Sequence, residues 1–245
     1  MGGVVPLVYF LLPNKSPLRL TRPRMKLTES LSVVGKVAVN GSSELMTNVS
    51  MSVVSMLYNY QLMRLAGEDG IAAYGVMMYV SFVFIAVFIG YAIGSAPIAG
   101  FHYGAGNHGE LKSLLRKSLT LTVLAGIGMA ALSVALATPL SGIFVGYDEG
   151  LYELTRRGFM IYSVSFLFAG FGIFGSGFFT ALGNGGVSAA ISFLRTLVFQ
   201  VAAVLILPLL WGIDGIWLAI SASELLATGV TAVFLVGMRR KYRYM

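Results

Sequence analysis

The chain has 245 residues, of which 57% are hydrophobic and 11% are charged, and its formal net charge is +7. Soluble domains carry about 25% charged residues, so this apolar surplus is too large for a single water-soluble core. The composition excludes a soluble globular domain, and the absence of cysteine excludes disulfides and thiolate metal sites.

Residues 1–26 combine an apolar run with a basic segment. The run GGVVPLVYFLL is too short to cross a bilayer, and it lacks the basic start and small-residue cleavage site of a signal peptide. We interpret it as the end of a transmembrane helix whose beginning is missing, with a short interfacial segment as the alternative. The basic residues from Lys15 to Lys26 are then predicted to form a cytoplasmic linker.

Three long stretches, 70–109, 118–147 and 158–194, contain no Asp, Glu, Lys or Arg. A bilayer core needs roughly 20 apolar residues per helix, so each stretch has room for a membrane span. The predicted fold class is an all-α polytopic membrane protein, with a six-helix lobe over 27–238 and a basic cytoplasmic tail over 239–245. The six predicted spans, separated by glycine-containing turns, are 32–63, 71–99, 113–137, 158–183, 187–210 and 213–238.

The basic residues are distributed unevenly between the loops. Twelve lie before the first span, after the second and after the sixth, whereas the opposite side has three basic residues beside six acids. Because cytoplasmic loops carry the excess of Lys and Arg, both chain ends are predicted to be cytoplasmic. The net positive charge is then explained by topology and by contact with anionic lipid, and nucleic acid is not expected as a partner.

Three ionisable residues remain well inside the predicted spans: Glu44, Arg195 and Glu224. They lie roughly 12–18 Å from the starts of their helices, near the middle of a hydrocarbon core about 30 Å thick. A charge at this depth costs at least ~2.5 kcal/mol, so such residues face a bundle interior or a water-filled cavity, and often pair. Arg195 and Glu224 lie at similar depth on consecutive antiparallel helices, and we predict that they form a structural ion pair.

Glu44 belongs to a polar stripe in the first span. Its other members follow at helical spacing and are Asn40, Thr47, Asn48, Ser55 and Tyr58. Such a stripe is unfavourable against lipid and suits a water-filled cleft, and polar contact between packed helices is the alternative. A partly desolvated carboxylate in a cleft can exchange a proton near neutral pH, or hold Na⁺ or a cationic drug. Tyr79 and Tyr162 lie among Met and aromatic residues that suit apolar or cationic ligands, with core packing or lipid contact as the alternative.

The glycine-rich segment GAGNHG, residues 104–109, matches the G-x-G-x-x-G pattern. It follows a membrane span and not a strand, so it predicts a tight turn and no nucleotide site. No Ser/His/Asp set, catalytic carboxylate pair or metal-ligand spacing occurs in the spans. The sequence therefore predicts neither an enzyme nor a cofactor or metal site.

Three segments, taken in order, resemble a multidrug and toxin extrusion (MATE) transporter of the MepA-like bacterial branch. They are NGSSELMTN (40–48), YGAGN (103–107) and the basic LKSLLRK (111–117). The resemblance covers nearly the whole chain and corresponds to the second half of the family, whose members have twelve spans in two six-helix lobes. It implies that residues 1–26 are the end of the sixth span and the inter-lobe linker, and that an N-terminal six-helix lobe is missing.

The resemblance implies antiport, coupled to H⁺ or Na⁺, that exports cationic or amphipathic drugs across the bacterial plasma membrane through a cleft between the lobes. Glu44 occupies the position of a seventh-helix acid that the family uses for ion or substrate binding. The residues expected to line the cleft beside it are Asn40, Thr47, Asn48 and Tyr58, with Tyr79 and Tyr162. Some members of the family have a tenth-helix aspartate, but no Asp or Glu occurs here from 154 to 213. The coupling ion therefore stays open.

Two alternatives stay open at the level of the sequence. One is a flippase for lipid-linked oligosaccharides from the same superfamily, which would be expected to line its cleft with several cations where only Arg195 is available. The other is a truncated fragment without transport activity, or a membrane scaffold.

Overall fold

The structure is a computed structural model that describes residues 27–245. The predicted half-span and linker, residues 1–26, lie outside the described residues, as do the side chains of Asn40 and Glu44. The chain divides into two units, residues 1–37 and 38–245. In the first unit the described residues, 27–37, are helical, and the second unit forms a helical bundle.

Every regular element among the described residues is helical. The seven α-helices are α1 (Leu27–Gly104), α2 (His108–Val145), α3 (Glu149–Tyr162), α4 (Phe166–Ala181), α5 (Gly185–Phe193), α6 (Gln200–Trp211) and α7 (Ile213–Tyr242). A 3₁₀ turn, Ser163–Ser165, joins α3 to α4, and a π-helical segment, Leu194–Phe199, joins α5 to α6. Helices α1, α2, α4 and α6 end at or next to glycine-containing segments that separate the predicted spans, and α7 continues beyond its predicted end at 238.

Five helical stretches in the described part are long and apolar enough to cross a membrane. They are Thr47–Gly104, His108–Val145, Glu149–Ala181, Gly185–Trp211 and Ile213–Tyr242. Several exceed the predicted spans because the bilayer limits only the apolar part of a helix, whereas capping residues and glycines set its ends. The first stretch, at 58 residues, corresponds to the first two predicted spans.

Helix α1 reverses direction at Gly67, where φ is 64° and ψ is −147°. The rings of Tyr58 and Tyr74 lie on opposite sides of this residue and stack with their centroids 5.2 Å apart. In a straight helix, residues 16 positions apart would be separated by roughly 24 Å. Gly67 therefore divides α1 into a first arm, 38–66, and a second arm, 68–104, that pack against each other as a hairpin.

Replacing Gly67 with alanine is expected to destabilise this hairpin. Its backbone conformation is one that L side chains rarely adopt, and the strain costs about 1–3 kcal/mol. We expect a lower midpoint of thermal unfolding in detergent for Gly67→Ala. The matched control is Gly75→Ala, because Gly75 has open space around it and alanine is favoured in a helix. Equal unfolding midpoints for the two variants would contradict the hairpin.

Three helices begin at an Asn or Asp that caps their first turn. The side-chain oxygens of Asn107, Asp148 and Asn184 accept hydrogen bonds from backbone N–H groups three residues later, at 3.3, 2.9 and 3.4 Å. Such caps satisfy donors that the first helical turn leaves free. The YGAGN segment is thus a helix-to-helix turn, as predicted.

The stretch Glu149–Ala181 forms the centre of the bundle. In its apolar 18-residue segment 61% of the residues are buried, against 17% in the corresponding segment of His108–Val145. Its helices pack against both α2 and α7. Two clusters of buried apolar residues surround it, one including Tyr58, Phe159 and Trp217 and the other including Phe178, Phe179 and Tyr244. Helix α7, which packs against this central stretch, also contacts the π-helical segment between α5 and α6.

Candidate functional site

A line of polar side chains runs along one exposed face of the first arm of α1. Its members, Asn48, Ser52, Ser55 and Asn59, are all exposed and are separated by three or four residues, the spacing that places side chains on one helix face. The neighbouring face is buried, with Val54, Tyr58 and Leu62 in the core. We call the four residues the exposed polar stripe.

Asn48 and Ser55 belong to the stripe expected from the sequence, and Thr47 beside them is half-buried. The side chains of Asn40 and Glu44 lie outside the described residues, so their place on this face stays a prediction. Ser52 and Asn59 were not among the predicted site residues. Their spacing from Glu44, at 44, 48, 52, 55 and 59, is the signal that identifies them.

The three predicted tyrosines do not share one open face. Tyr58 and Tyr162 are buried in the same core cluster, whereas Tyr79 is 73% exposed. In this conformation neither Tyr58 nor Tyr162 reaches an open face of the lobe. The rotation of the first arm turns position 58 inward because Val54 and Leu62 pack on the same face.

A buried ion pair lies between α7 and the π-helical segment. The Nε of Arg195 donates to both carboxylate oxygens of Glu224, at 3.1 Å to Oε1 and 2.9 Å to Oε2. The side chains are 13% and 4% exposed. A charged group sealed this far from water requires a partner, because its desolvation is otherwise uncompensated.

Gly172 of α4 makes room for the arginine. A Cβ placed on Gly172 would lie 2.6 Å from Cδ of Arg195, closer than carbon atoms approach without a shift. Arg195 itself lies within the π-helical segment Leu194–Phe199, a local widening of the helix that is frequent at functional sites. The lobe is thus shaped around this pair by two features, a missing side chain on α4 and a widened turn.

Hydroxyl groups connect α4 to α5. Ser176 Oγ lies 2.9 Å from both Ser188 Oγ and Ser192 Oγ, and Thr180 Oγ1 lies 2.6 Å from Ser188 Oγ. Because these groups satisfy each other, they act as polar contacts between membrane helices. Among residues 27–245, the side chains that the structure describes include no group of three or more His, Asp or Glu that could hold a metal ion.

An all-helical bundle whose helices are long and apolar enough to cross a membrane, with an ion pair buried inside them, defines a polytopic membrane protein. Residues 45–206 match the family model described as MatE, which covers more than half of the chain. The chain therefore belongs to the MatE family, whose members are transporters and not enzymes. The resemblance seen in the sequence is confirmed.

One curated relative is the probable multidrug resistance protein YoeA of Bacillus subtilis (strain 168). It is 26% identical over 168 residues, which are 68% of this chain and 35% of YoeA.

Several solved structures share the fold. A multidrug resistance MATE family transporter of the MOP superfamily in an outward-facing conformation gives a TM-score of 0.86 at 18% identity, over 99% of this chain and 54% of that one. A MOP superfamily transporter from Pyrococcus furiosus gives 0.82 at 21% identity, over 97% and 52%. The VcmN transporter of Vibrio cholerae in its bent form gives 0.78 at 18% identity, over 90% and 50%. The chain spans about half the length of these transporters.

Proposed function

We propose that the chain is one lobe of a secondary active antiporter that exports cationic or amphipathic drugs in exchange for H⁺ or Na⁺. A second six-helix lobe would complete the transporter. The assembly would lie in the bacterial plasma membrane with both ends of this chain in the cytoplasm, as the distribution of basic residues indicates. The family match and the relation to a probable multidrug resistance protein support this proposal.

The observation that carries the proposal is the exposed polar stripe. Asn48, Ser52, Ser55 and Asn59 lie on a face that the lobe itself leaves uncovered. Polar side chains without a partner on their own helix are unfavourable against acyl chains, because lipid offers no hydrogen-bond partners. Ser52 has such a partner, since its Oγ donates to the Asn48 carbonyl at 3.4 Å, so the proposal rests on Ser55 and Asn59. A water-filled cleft shared with a second lobe accounts for the stripe, and the solved relatives, about twice as long as this chain, have room for one.

Glu44 precedes Asn48 by four residues and is proposed as the ion- or substrate-binding group of this cleft. A carboxylate can hold H⁺ or Na⁺ in one state and an organic cation in the other, and this competition couples the two flows. Asn40, Thr47 and Asn48 are proposed to line the cleft beside it. Tyr58, Tyr79 and Tyr162 were also predicted to line the cleft; Tyr79 is exposed, whereas Tyr58 and Tyr162 are buried in this conformation.

The Arg195–Glu224 pair is proposed to have a structural role. Arg195 would be the cation available to a flippase for lipid-linked oligosaccharides, but its Nε is held by Glu224. An arginine already committed to a carboxylate is poorly placed to bind a pyrophosphate. This geometry favours drug antiport over the flippase alternative.

Cysteine accessibility tests the cleft directly, because the natural chain contains no cysteine. We expect a hydrophilic thiol reagent to label Ser55→Cys in intact membranes, since a thiolate forms and reacts only where water reaches it. The matched control is Val53→Cys, which lies at nearly the same depth on a different exposed face. We expect this control to be labelled much more slowly.

The contrast between the two positions decides the result. Equal labelling rates at positions 53 and 55, or protection of both, would contradict a water-filled cleft along the stripe. Labelling of both cysteines after solubilisation in detergent shows that each thiol is present and reactive.

A further inference from the structure

One end of the bundle carries a dense group of cations. Its members lie at the start of α2 and at the end of α7 and just beyond it, all are exposed, and they are Lys112, Arg116, Lys117, Arg239, Arg240, Lys241 and Arg243. We call this group the basic end. None of the seven forms an ion pair with a side chain that the structure describes. Their positive charge is therefore available to an outside partner.

The chain that follows α7 is folded back onto the lobe. Arg243 adopts a left-handed conformation with φ 55°, and its N–H donates to the Arg239 carbonyl at 2.8 Å. Tyr244 is then turned inward, fully buried, with its hydroxyl donating to the Leu235 carbonyl at 3.0 Å. Its ring lies 5.3 Å from that of Phe178. The tail cations are thus attached to a fixed backbone.

The buried apolar cluster that includes Phe178 and Tyr244 also joins this tail to the start of α2. Leu111 and Leu115 of α2 belong to this cluster together with Tyr242 and Tyr244. The ring of Tyr103, just before the turn into α2, lies 5.4 Å from that of Tyr242. The two groups of cations are therefore held at one end of the bundle by common packing.

Large apolar side chains lie along the same helices next to the basic end. Leu124 on α2 is 65% exposed and Val233 on α7 is 70% exposed. A ligand that fits this surface has an anionic head for the cations and an apolar tail for the helices. An anionic phospholipid has both, whereas a nucleic acid or an acidic peptide has only the charge.

We propose that the basic end is a binding site for the phosphate groups of anionic phospholipids, held in a fixed arrangement by the folded-back tail. Basic residues near a membrane surface contribute about 1 kcal/mol each to the attraction of anionic lipid. The fixed tail reduces the ordering that binding would otherwise require. The proposal does not depend on transport.

The test measures binding of short-chain phosphatidylglycerol to the full chain in a neutral detergent at about 0.15 M salt, with phosphatidylcholine as the comparison lipid. We expect Arg240→Gln and Arg243→Gln each to weaken phosphatidylglycerol binding about fivefold. Arg64→Gln is the matched control, because it removes an exposed cation at the other end of the chain's bundle. We expect it to leave binding unchanged.

A second variant distinguishes lipid binding at a fixed site from diffuse electrostatic attraction of the lipid to the basic end. Tyr244→Phe keeps the ring and all the charges but removes the hydrogen bond to Leu235, and we expect it to weaken binding severalfold. Unchanged binding in Tyr244→Phe, or an equal loss in Arg64→Gln, would mean diffuse electrostatics and overturn the proposal. Equal affinity for phosphatidylcholine, or displacement of the lipid by inorganic phosphate at similar concentration, would overturn it as well.

Discussion

Replacing Glu44 with glutamine is expected to abolish pH-dependent export of cationic dyes. Glutamine keeps the size of the side chain but can neither take up a proton nor balance a cation, so the proposed exchange at this position is lost. The measurement is growth in the presence of cationic dyes. The gene should be expressed from a genomic fragment with its flanking sequence, so that any second lobe encoded there is expressed with it.

The control for this prediction is Glu149→Gln, which removes an exposed carboxylate at the start of α3, outside the proposed cleft. We expect it to leave dye resistance unchanged. Resistance that survives in Glu44→Gln at the level of the unaltered protein would contradict the proposed role of Glu44. Absence of resistance in the unaltered protein would contradict the proposed transport itself.

Removing Glu224 is expected to destabilise the lobe more than removing Arg195. Either change breaks a buried ion pair, which costs about 3–5 kcal/mol when a charge is left without its partner. An arginine left alone cannot lose its proton, whereas a carboxylate left alone can gain one and become neutral. Glu224→Leu should therefore lose the full stability that breaking the pair costs, and Arg195→Met should lose less stability.

Thermal unfolding of the two variants in detergent measures both losses of stability. Equal losses in Glu224→Leu and Arg195→Met would contradict this account.

The double variant Arg195→Met/Glu224→Leu provides the matched control. It replaces the pair with apolar side chains and leaves no buried charge, so it should be more stable than Glu224→Leu alone. If the loss of stability in the double variant equals the sum of the losses in the two single variants, the two side chains do not act as a pair.

The sequence alone determined the membrane class, the approximate spans and the turns. The stretches without charge, such as 118–147, allow few structures other than membrane helices, because lipid requires that backbone groups bond within the helix. The helix starts were placed less well: Asn107 and Asp148 cap helices that begin at 108 and 149, whereas the predicted spans begin at 113 and 158. The equal depth of Arg195 and Glu224 was also visible, because depth follows from residue count along each helix.

Only the tertiary structure decided which side of each helix faces inward. The sequence grouped Tyr58 with Glu44 and Asn48, but packing of Val54 and Leu62 turns Tyr58 into the core and leaves Ser52 and Asn59 exposed. It also showed Tyr244 folded back against Phe178 and Arg195 in a widened helical turn. Helical spacing fixes the angles between side chains on one helix, whereas the rotation of that helix about its axis depends on the neighbours against which it packs.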